Sequence, residues 1–126
     1  LPPPAASFLP VLPGAVEIID DYAFHGCVTL RRAEIPDTVK IIGVGAFDMC
    51  WELNDFWMPK QVERIEKNAF RSCKKLTSVV LPDGLQVIGD YAFLGCESLK
   101  YLVVPKSVEA IGEKAFWGVE EVTYQE

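Results

Sequence analysis

The chain of 126 residues is long enough for one domain, and half of its residues are hydrophobic, which is sufficient for a continuous core. Its net charge of −6 at pH 7 is moderate and mixed, which argues against a nucleic-acid-binding surface. The sequence contains no run of 18 or more apolar residues, which argues against insertion in a membrane.

Proline dominates the start of the chain, and residues 1–6 are typical of a linker or a polyproline II arm. Residues 7–13 follow as a degenerate strand, in which Pro10 would stop further strands from pairing with the open edge. We expect residues 7–126 to form a single repeat domain with about five repeats and a cap at each end. At the C-terminal end, polar Gln125 is expected in a column that apolar residues fill elsewhere.

A period of 23 residues runs through most of the chain. The dipeptide Ala-Phe recurs at residues 23/24, 46/47, 69/70, 92/93 and 115/116. Proline keeps the same interval at residues 13, 36, 59, 82 and 105, and cysteine keeps it at residues 27, 50, 73 and 96. A fixed period of this length is typical of a solenoid, in which each repeat forms one coil that stacks on the next.

Two short strands are predicted in each repeat, as residues 76–98 illustrate. Val79 and Leu81 alternate with outward positions, and Pro82 ends this first strand because proline cannot donate to the ladder. Leu85 and Ile88 then indicate a second strand on the opposite wall of the coil.

A short helix is predicted between the second strand and the next repeat. Ala69, Phe70, Cys73 and Leu76, with their equivalents, recur at i, i+1, i+4 and i+7, which is a helical spacing. The sequence therefore predicts an α/β repeat solenoid, with short parallel β-strands on two walls and one short helix per repeat.

The four cysteines are expected to form a column of buried free thiols. Residues 23 apart stack about 4.8 Å from one another, with parallel Cβ vectors that suit a disulfide poorly. No Cys-x-x-Cys pair exists and His25 is the only histidine, so we expect no metal site.

The recurring pattern L-x-x-I-x-L-P-x-x-V-x-x-I-G-x-x-A-F-x-x-C resembles that of the BspA-like leucine-rich-repeat family, most clearly over residues 13–119. The chain departs from it at Val119, where a fifth cysteine would stand, and at Arg64. The resemblance implies a parallel-strand solenoid of the kind found in bacterial or protist surface proteins that bind host or matrix proteins.

The repeat accounts for most features that otherwise suggest chemistry. Gly43-Val44-Gly45 starts a dinucleotide-type glycine motif, but Asp48 replaces its third glycine. His25 is expected on the surface, and no carboxylate pair lies in contrasting environments. Six basic residues between residues 60 and 75 are interpreted as a solvated face, with an anionic-ligand site as the alternative. We therefore expect neither enzymatic activity nor a cofactor.

Outward positions of the first strand form the candidate binding surface. The predicted ligand-binding residues share such a position: Trp57, Val80, Val103, Tyr101, Tyr124, Asp55 and Arg32. The core does not need these apolar side chains, and an exposed apolar stripe with a polar rim is typical of an interaction surface. The alternative is that β propensity alone selects valine and aromatic residues there, or that an adjoining domain covers them.

The leading hypothesis is a non-catalytic protein-binding module with an unidentified protein partner. The alternative is a structural spacer or self-association unit, which would form a homo-oligomer through the same strand face. By family resemblance the expected location is extracellular or at the cell surface, with a cytoplasmic location as the alternative.

Overall fold

A computed structural model describes residues 15–126 of the chain. The predicted arm of residues 1–6 and the strand containing Pro10 lie outside the described residues, so both stay predictions. Within residues 15–126 the chain winds as a solenoid of parallel strands, in which each turn contacts the turns before and after it.

The second strands of the repeats form one continuous wall. It is a parallel five-stranded sheet whose members are two residues long and follow chain order: β1 (Ile18–Ile19), β3 (Ile41–Ile42), β5 (Arg64–Ile65), β6 (Val87–Ile88) and β8 (Ala110–Ile111). Its register is 23 residues throughout, so Ile19 lies beside Ile42, and Ile42 beside Ile65. The prediction of a second short strand on an opposite wall is confirmed.

The first strands form a wall that is interrupted in its middle. β2 (Arg32–Glu34) pairs with β4 (Asp55–Trp57), and β7 (Tyr101–Val104) pairs with β9 (Glu121–Tyr124), both parallel. Residues 78–80, which lie between β4 and β7 in the repeat order, form no strand. The wall therefore consists of two separate two-stranded sheets.

The register of the last strand differs from the 23-residue period. Tyr101 pairs with Glu121, and Val104 pairs with Tyr124, so the last coil is three residues shorter than the others. The expectation that Tyr124 extends the column of Tyr101 is therefore wrong. The expectation that Gln125 fills the apolar column is also wrong, because Val122 takes that place beside Leu102.

The predicted helix is absent, because residues 15–126 contain no helix and a chain of turns occupies its place. In the second coil the amides of Ala46 and Asp48 each bond to a carbonyl three residues back. The amide of Phe47 instead donates to the carbonyl of Ala69 in the next coil, at 2.8 Å. Since alternate amides leave the segment to bond a neighbouring coil, the i→i−4 ladder of a helix cannot form.

Backbone conformation explains this alternation. Two columns of residues adopt left-handed backbone, one four residues after the other: Tyr22, Gly45, Asn68, Tyr91 and Lys114, then Gly26, Met49, Ser72, Gly95 and Gly118. A left-handed residue interrupts a right-handed helix, because it reverses the local turn of the chain. Apolar spacing at i, i+4 and i+7 therefore reflects a bent ribbon here, in which the same residues face the core.

The core is a stack of columns enclosed by these three sides. Phe47, Phe70 and Phe93 are completely buried, as predicted, and their rings stack with centroids 5.3–5.4 Å apart. Phe56 from β4 packs edge-on against Phe47 and Phe70. The aromatic column links successive coils through contacts that are worth roughly 0.5–1.5 kcal/mol each beyond the burial of area.

The cysteines occupy one column as free thiols. Cys50, Cys73 and Cys96 are fully buried, as predicted, whereas Cys27 in the first described coil is only partly buried, which corrects that part of the prediction. Burial and the neighbouring Cys27 thiol raise the pKa of Cys50 to about 12. Burial likewise raises the pKa of Cys96 to about 12, so both thiols stay protonated at neutral pH.

Candidate functional site

The predicted binding residues lie on the outer side of the interrupted wall. We call this surface the strand face and define it by Arg32, Asp55, Trp57, Val80, Tyr101 and Val103. In β4 the side chains of Asp55 and Trp57 point outward on either side of the buried Phe56, since successive strand residues face opposite sides. Tyr101 and Val103 hold the same positions around the buried Leu102 in β7.

The apolar members of the strand face are unusually exposed. Val80 is 82% exposed, Tyr101 69%, Trp57 66% and Val103 47%. Contiguous exposed apolar surface is uncommon on monomeric proteins unless it has a binding role. These exposures agree with the outward positions that the sequence predicted for all four residues.

Trp57 separates two shallow grooves on the strand face. One groove, of about 380 Å³, is bounded by Trp57 and by the segment from Arg32 to Asp37. The other, of about 410 Å³, is bounded by Trp57, Lys60, Val80 and Pro82. The indole is therefore accessible from both sides, which suits a side chain that contacts a partner.

Charged side chains border the first groove. Arg32 Nε lies 3.2 Å from Asp55 Oδ2, and Arg32 Nη2 lies 3.5 Å from Glu34 Oε1. All three side chains are more than half exposed, so these ion pairs contribute little to stability. They leave Arg32 and Asp55 free to exchange partners, which fits the polar rim of an interface.

The interruption of the wall lies within the strand face. Residues 78–80 lie between β4 and β7 in the repeat order, yet within the described chain no main-chain hydrogen bond joins them to either strand. The core residues behind the interruption, Phe56 and Val79, retain 7% and 8% exposure, whereas most other core residues are nearly inaccessible. The wall therefore covers the core least completely beside Trp57.

Tyr124 does not join the strand face. It pairs with Val104, whose side chain points into the core, so Tyr124 occupies an inward column at the end of the solenoid. Its side chain is 60% exposed because no coil within residues 15–126 covers it. The predicted cluster of Tyr101 with Tyr124 is thus corrected to Tyr101 with Glu121 as its lateral neighbour.

A ladder of charged side chains was not predicted from the sequence. It lies on the turn side, which is the side of the solenoid where a chain of turns replaces the predicted helix. Asp48 is 2% exposed and lies between His25 of the preceding coil and Arg71 of the following coil. Arg71 Nε and Nη2 donate to its two carboxylate oxygens at 2.9 and 2.8 Å, and His25 Nε2 lies 3.4 Å away. The sequence does contain a signal for this ladder, because the oppositely charged Asp48 and Arg71 are 23 residues apart and therefore stack in adjacent coils.

Ion pairs neutralise two of the six basic side chains between residues 60 and 75. Arg71 pairs with Asp48, and this hydrogen bonding raises the pKa of Arg71. Arg64 pairs with Glu66 at 3.1 Å on an exposed surface. The remaining lysines leave a weaker cationic surface than the sequence suggests, and within residues 15–126 no group of three or more potential ligands could hold a metal ion.

Known proteins share this repeat geometry. A sequence model described as "BspA type Leucine rich repeat region" matches residues 10–123 in six copies. The chain belongs to this family. The BspA-type period of strand, proline, second strand and turn is thus the origin of the columns described above.

Solved structures of bacterial leucine-rich-repeat proteins share this architecture. A leucine-rich-repeat protein of T. pallidum superposes with a TM-score of 0.88 at 36% identity, and the alignment covers 94% of this chain and 59% of that one. A leucine-rich cell surface protein of Faecalibacterium prausnitzii gives 0.86 at 32% identity, covering 96% and 32%. A protein from Bacteroides ovatus gives 0.78 at 30% identity, covering 93% and 36%.

This BspA-type chain therefore spans between a third and three-fifths of the length of these structures. A search of curated proteins finds no match. No helix within residues 15–126 is long and apolar enough to cross a membrane.

Proposed function

We propose that this BspA-type solenoid is a non-catalytic protein-binding module that contacts its partner through the strand face. The observation that carries the proposal is the exposure of Trp57, Val80 and Tyr101 on adjacent coils, beside two grooves that meet at the indole. Tryptophan and tyrosine are the residues that most often dominate the energy of protein interfaces.

The polar surroundings of this stripe fit an interface better than a catalytic site. Arg32 and Asp55 form exposed ion pairs at its edge, as in the solvated rim of a protein interface. The buried titratable groups lie elsewhere: the thiols stack inside the core, and Asp48 is paired on the turn side. Among the described residues, the charged side chains that line the two grooves are all exposed, so neither groove contains the buried titratable group that is typical of a catalytic site.

A location at the cell surface is part of the proposal. It is supported by the likeness to the F. prausnitzii protein, which is described as a leucine-rich cell surface protein. We infer that the partner is a protein of the host surface or the extracellular matrix, in keeping with the family resemblance.

The test uses a matched pair of tryptophans. Trp57 on the strand face and Trp117 on the turn side are 66% and 63% exposed, so replacing either by alanine should change stability by less than about 0.5 kcal/mol. The purified chain and both variants are measured by biolayer interferometry against a panel of extracellular-matrix and host-surface proteins. Trp57→Ala should weaken a positive interaction by about 30-fold or more, and Trp117→Ala should not.

Two outcomes would contradict the proposal. One is an interaction that is unchanged by Trp57→Ala and Tyr101→Ala together but lost on neutralising Lys67 and Lys74, which would place binding on the basic side. The other is a chain that sediments as a concentration-dependent dimer, in which Trp57→Ala restores the monomer. That result would favour the self-association unit.

A further inference from the structure

The two grooves beside Trp57 differ in charge. The first groove, which Trp57 shares with the segment from Arg32 to Asp37, is lined by one basic and three acidic side chains: Arg32, Glu34, Asp37 and Asp55. The second groove, which Trp57 shares with Val80, is lined by one charged side chain of each sign: Asp55 and Lys60. The first groove is therefore negative and attracts a basic group, whereas the second is neutral.

The carboxylates of the first groove are accessible to a partner. Glu34 and Asp55 share a single cation, Arg32, and all three side chains are more than half exposed. Asp37 is also exposed, and its Oδ1 accepts a hydrogen bond from the main-chain amide of Lys60 at 3.2 Å. A second cation entering this groove would thus meet acidic groups that one arginine does not neutralise.

The second groove is mostly apolar. The apolar residues that line it outnumber the polar ones: Phe56, Trp57, Met58, Val80 and Pro82. Its volume of about 410 Å³ is sufficient for a large aliphatic or aromatic side chain. This groove therefore suits an uncharged, apolar group.

Main-chain groups beside the second groove favour a peptide as the occupant. The amide of Asp55 donates to the carbonyl of Arg31 in the preceding coil at 3.1 Å. Main-chain groups of successive strand residues point to opposite edges, so those of Phe56 face the interruption at residues 78–80. Within residues 15–126 these groups have no main-chain partner. A peptide supplies both donors and acceptors to such groups, whereas a purely apolar ligand supplies neither.

The distance between the grooves sets the spacing of the side chains that can fill them. Asp55 and Trp57 of β4 line both grooves and form the ridge between them, so the grooves are about one coil, or about 4.8 Å, apart. In an extended chain, side chains two residues apart share one face and are about 6.6 Å apart, whereas adjacent side chains point to opposite faces. A segment that crosses β4 obliquely therefore places side chains i and i+2 in the two grooves.

We propose that the strand face binds an extended segment of its protein partner in which one residue separates a basic side chain from a large apolar side chain. The basic side chain lies in the first groove near Glu34 and Asp37. The apolar side chain lies in the second groove against Val80, and the main chain between them crosses Trp57. This inference rests on the proposed function, because it specifies which part of the partner the strand face contacts.

The test compares three synthetic peptides with blocked termini. The spaced peptide is Gly-Thr-Lys-Thr-Leu-Thr-Gly. The shifted peptide, Gly-Thr-Thr-Lys-Leu-Thr-Gly, has the same composition but directs lysine and leucine to opposite faces. The acidic peptide, Gly-Thr-Glu-Thr-Leu-Thr-Gly, keeps the spacing and reverses the charge.

Binding is followed by NMR through the indole N–H signal of Trp57 in the whole chain, assigned with Trp57→Phe. The spaced peptide should bind with a Kd of about 1 mM or below, and the shifted and acidic peptides at least about tenfold more weakly. The difference between the spaced and acidic peptides should shrink as salt is raised. Equal affinity for the spaced and shifted peptides, or no change in the Trp57 signal at about 10 mM spaced peptide, would overturn the proposal.

Variants of the chain test each groove separately. Glu34→Gln combined with Asp37→Asn should weaken the spaced peptide by about fivefold or more, and Val80→Ser should do the same through the other groove. All three side chains are exposed, so these changes should leave the fold intact. Trp117→Ala, on the turn side, should leave the affinity unchanged.

A protein partner distinguishes this proposal from the proposed function. If its binding is lost in Trp57→Ala but unchanged in the Glu34, Asp37 and Val80 variants, the strand face binds proteins through other contacts and only the proposed segment is wrong. If its binding does not depend on Trp57 at all, the proposed function itself is wrong.

Discussion

The thiol of Cys73 donates a hydrogen bond to the main-chain carbonyl oxygen of Phe47 in the preceding coil, with 3.2 Å between sulfur and oxygen. Cys96 makes the same bond to Phe70 at 3.1 Å, and Cys50 makes it to Phe24 at 3.2 Å. Cysteine thus fills a small apolar site and also donates a second hydrogen bond to a carbonyl that already accepts the main-chain amide three residues later in its own coil. Valine or alanine would supply only the first of these properties.

Alkaline pH should destabilise the fold through these thiols. Burial raises the pKa of Cys50 and Cys96 from 9.0 to about 12, so the unfolded chain releases thiol protons at lower pH than the folded chain. Their contribution to stability is present well below pH 9 and is lost as the pH rises from about 9 towards 12, because the folded chain holds more protons than the unfolded chain in that interval. Urea unfolding at several pH values, compared with a Cys50→Ala, Cys96→Ala variant, should show a shallower slope in the variant.

The aromatic column should dominate the stability of the coil stack. Phe70 is inaccessible and its ring contacts Phe47, Phe56 and Phe93, so Phe70→Ala should lower the free energy of unfolding by about 3–5 kcal/mol. Urea denaturation followed by circular dichroism gives this value directly. A loss below 1 kcal/mol would mean that the stack closes around the cavity.

The pair of Asp48 and Arg71 should show energetic coupling across two coils. Asp48→Asn and Arg71→Met each remove charged hydrogen bonds to a buried carboxyl group, and each should cost about 1–3 kcal/mol. The double variant should cost less than the sum, because removing the second partner breaks nothing further. Additive losses in a double-mutant cycle from urea unfolding would show that the two side chains act independently.

Glycine substitutions can separate backbone strain from crowding. Gly45 and Gly26 both have left-handed backbone, with φ of 61° and 71°. A Cβ on Gly45 would meet the Tyr22 ring at 2.6 Å, whereas a Cβ on Gly26 would meet nothing within 4 Å. We expect Gly26→Ala to cost about 1 kcal/mol and Gly45→Ala to cost clearly more.

Thermal unfolding of the two glycine variants measures this difference. Adding Tyr22→Ala to the Gly45 variant should recover the excess, because it removes the ring that the new methyl group meets. Equal losses for both single variants would show that the tyrosine moves aside freely.

The periodicity of the sequence is sufficient to predict the coil and its core. Residues 23 apart must share a column in a solenoid, so the buried Phe70 and Cys73 and the outward Trp57 follow from spacing alone. Spacing of apolar residues could not distinguish a helix from a ribbon with alternating left-handed residues, because both place residues at i, i+4 and i+7 on one side. Tyr22 and Met49 give no sign of positive φ, which is normally associated with glycine or asparagine.

The predicted register of the last strand was wrong for a different reason. Extrapolating the period placed Tyr124 beside Tyr101, but the last coil lacks three residues between Phe116 and the strand, and Val122 rather than Gln125 continues the apolar column. Val119, in place of the fifth cysteine, was the visible sign that the period weakens there. The buried pair of Asp48 and Arg71 was predictable only by comparing charges across one period.

The central coil, residues 59–81, carries six basic and two acidic side chains, and this charge restricts the order in which coils can stack. Its neighbours, residues 36–58 and 82–104, carry four acidic and one basic, and three acidic and one basic side chains, respectively. If the central coil looped out during folding, these two acidic coils would meet and repel each other, although their shapes fit equally well. The order of charges along the chain thus favours the native neighbours of each coil. High salt shortens the screening length to about 3 Å at 1 M, so it should increase the fraction of misfolded chains in which the central coil is left out of the stack.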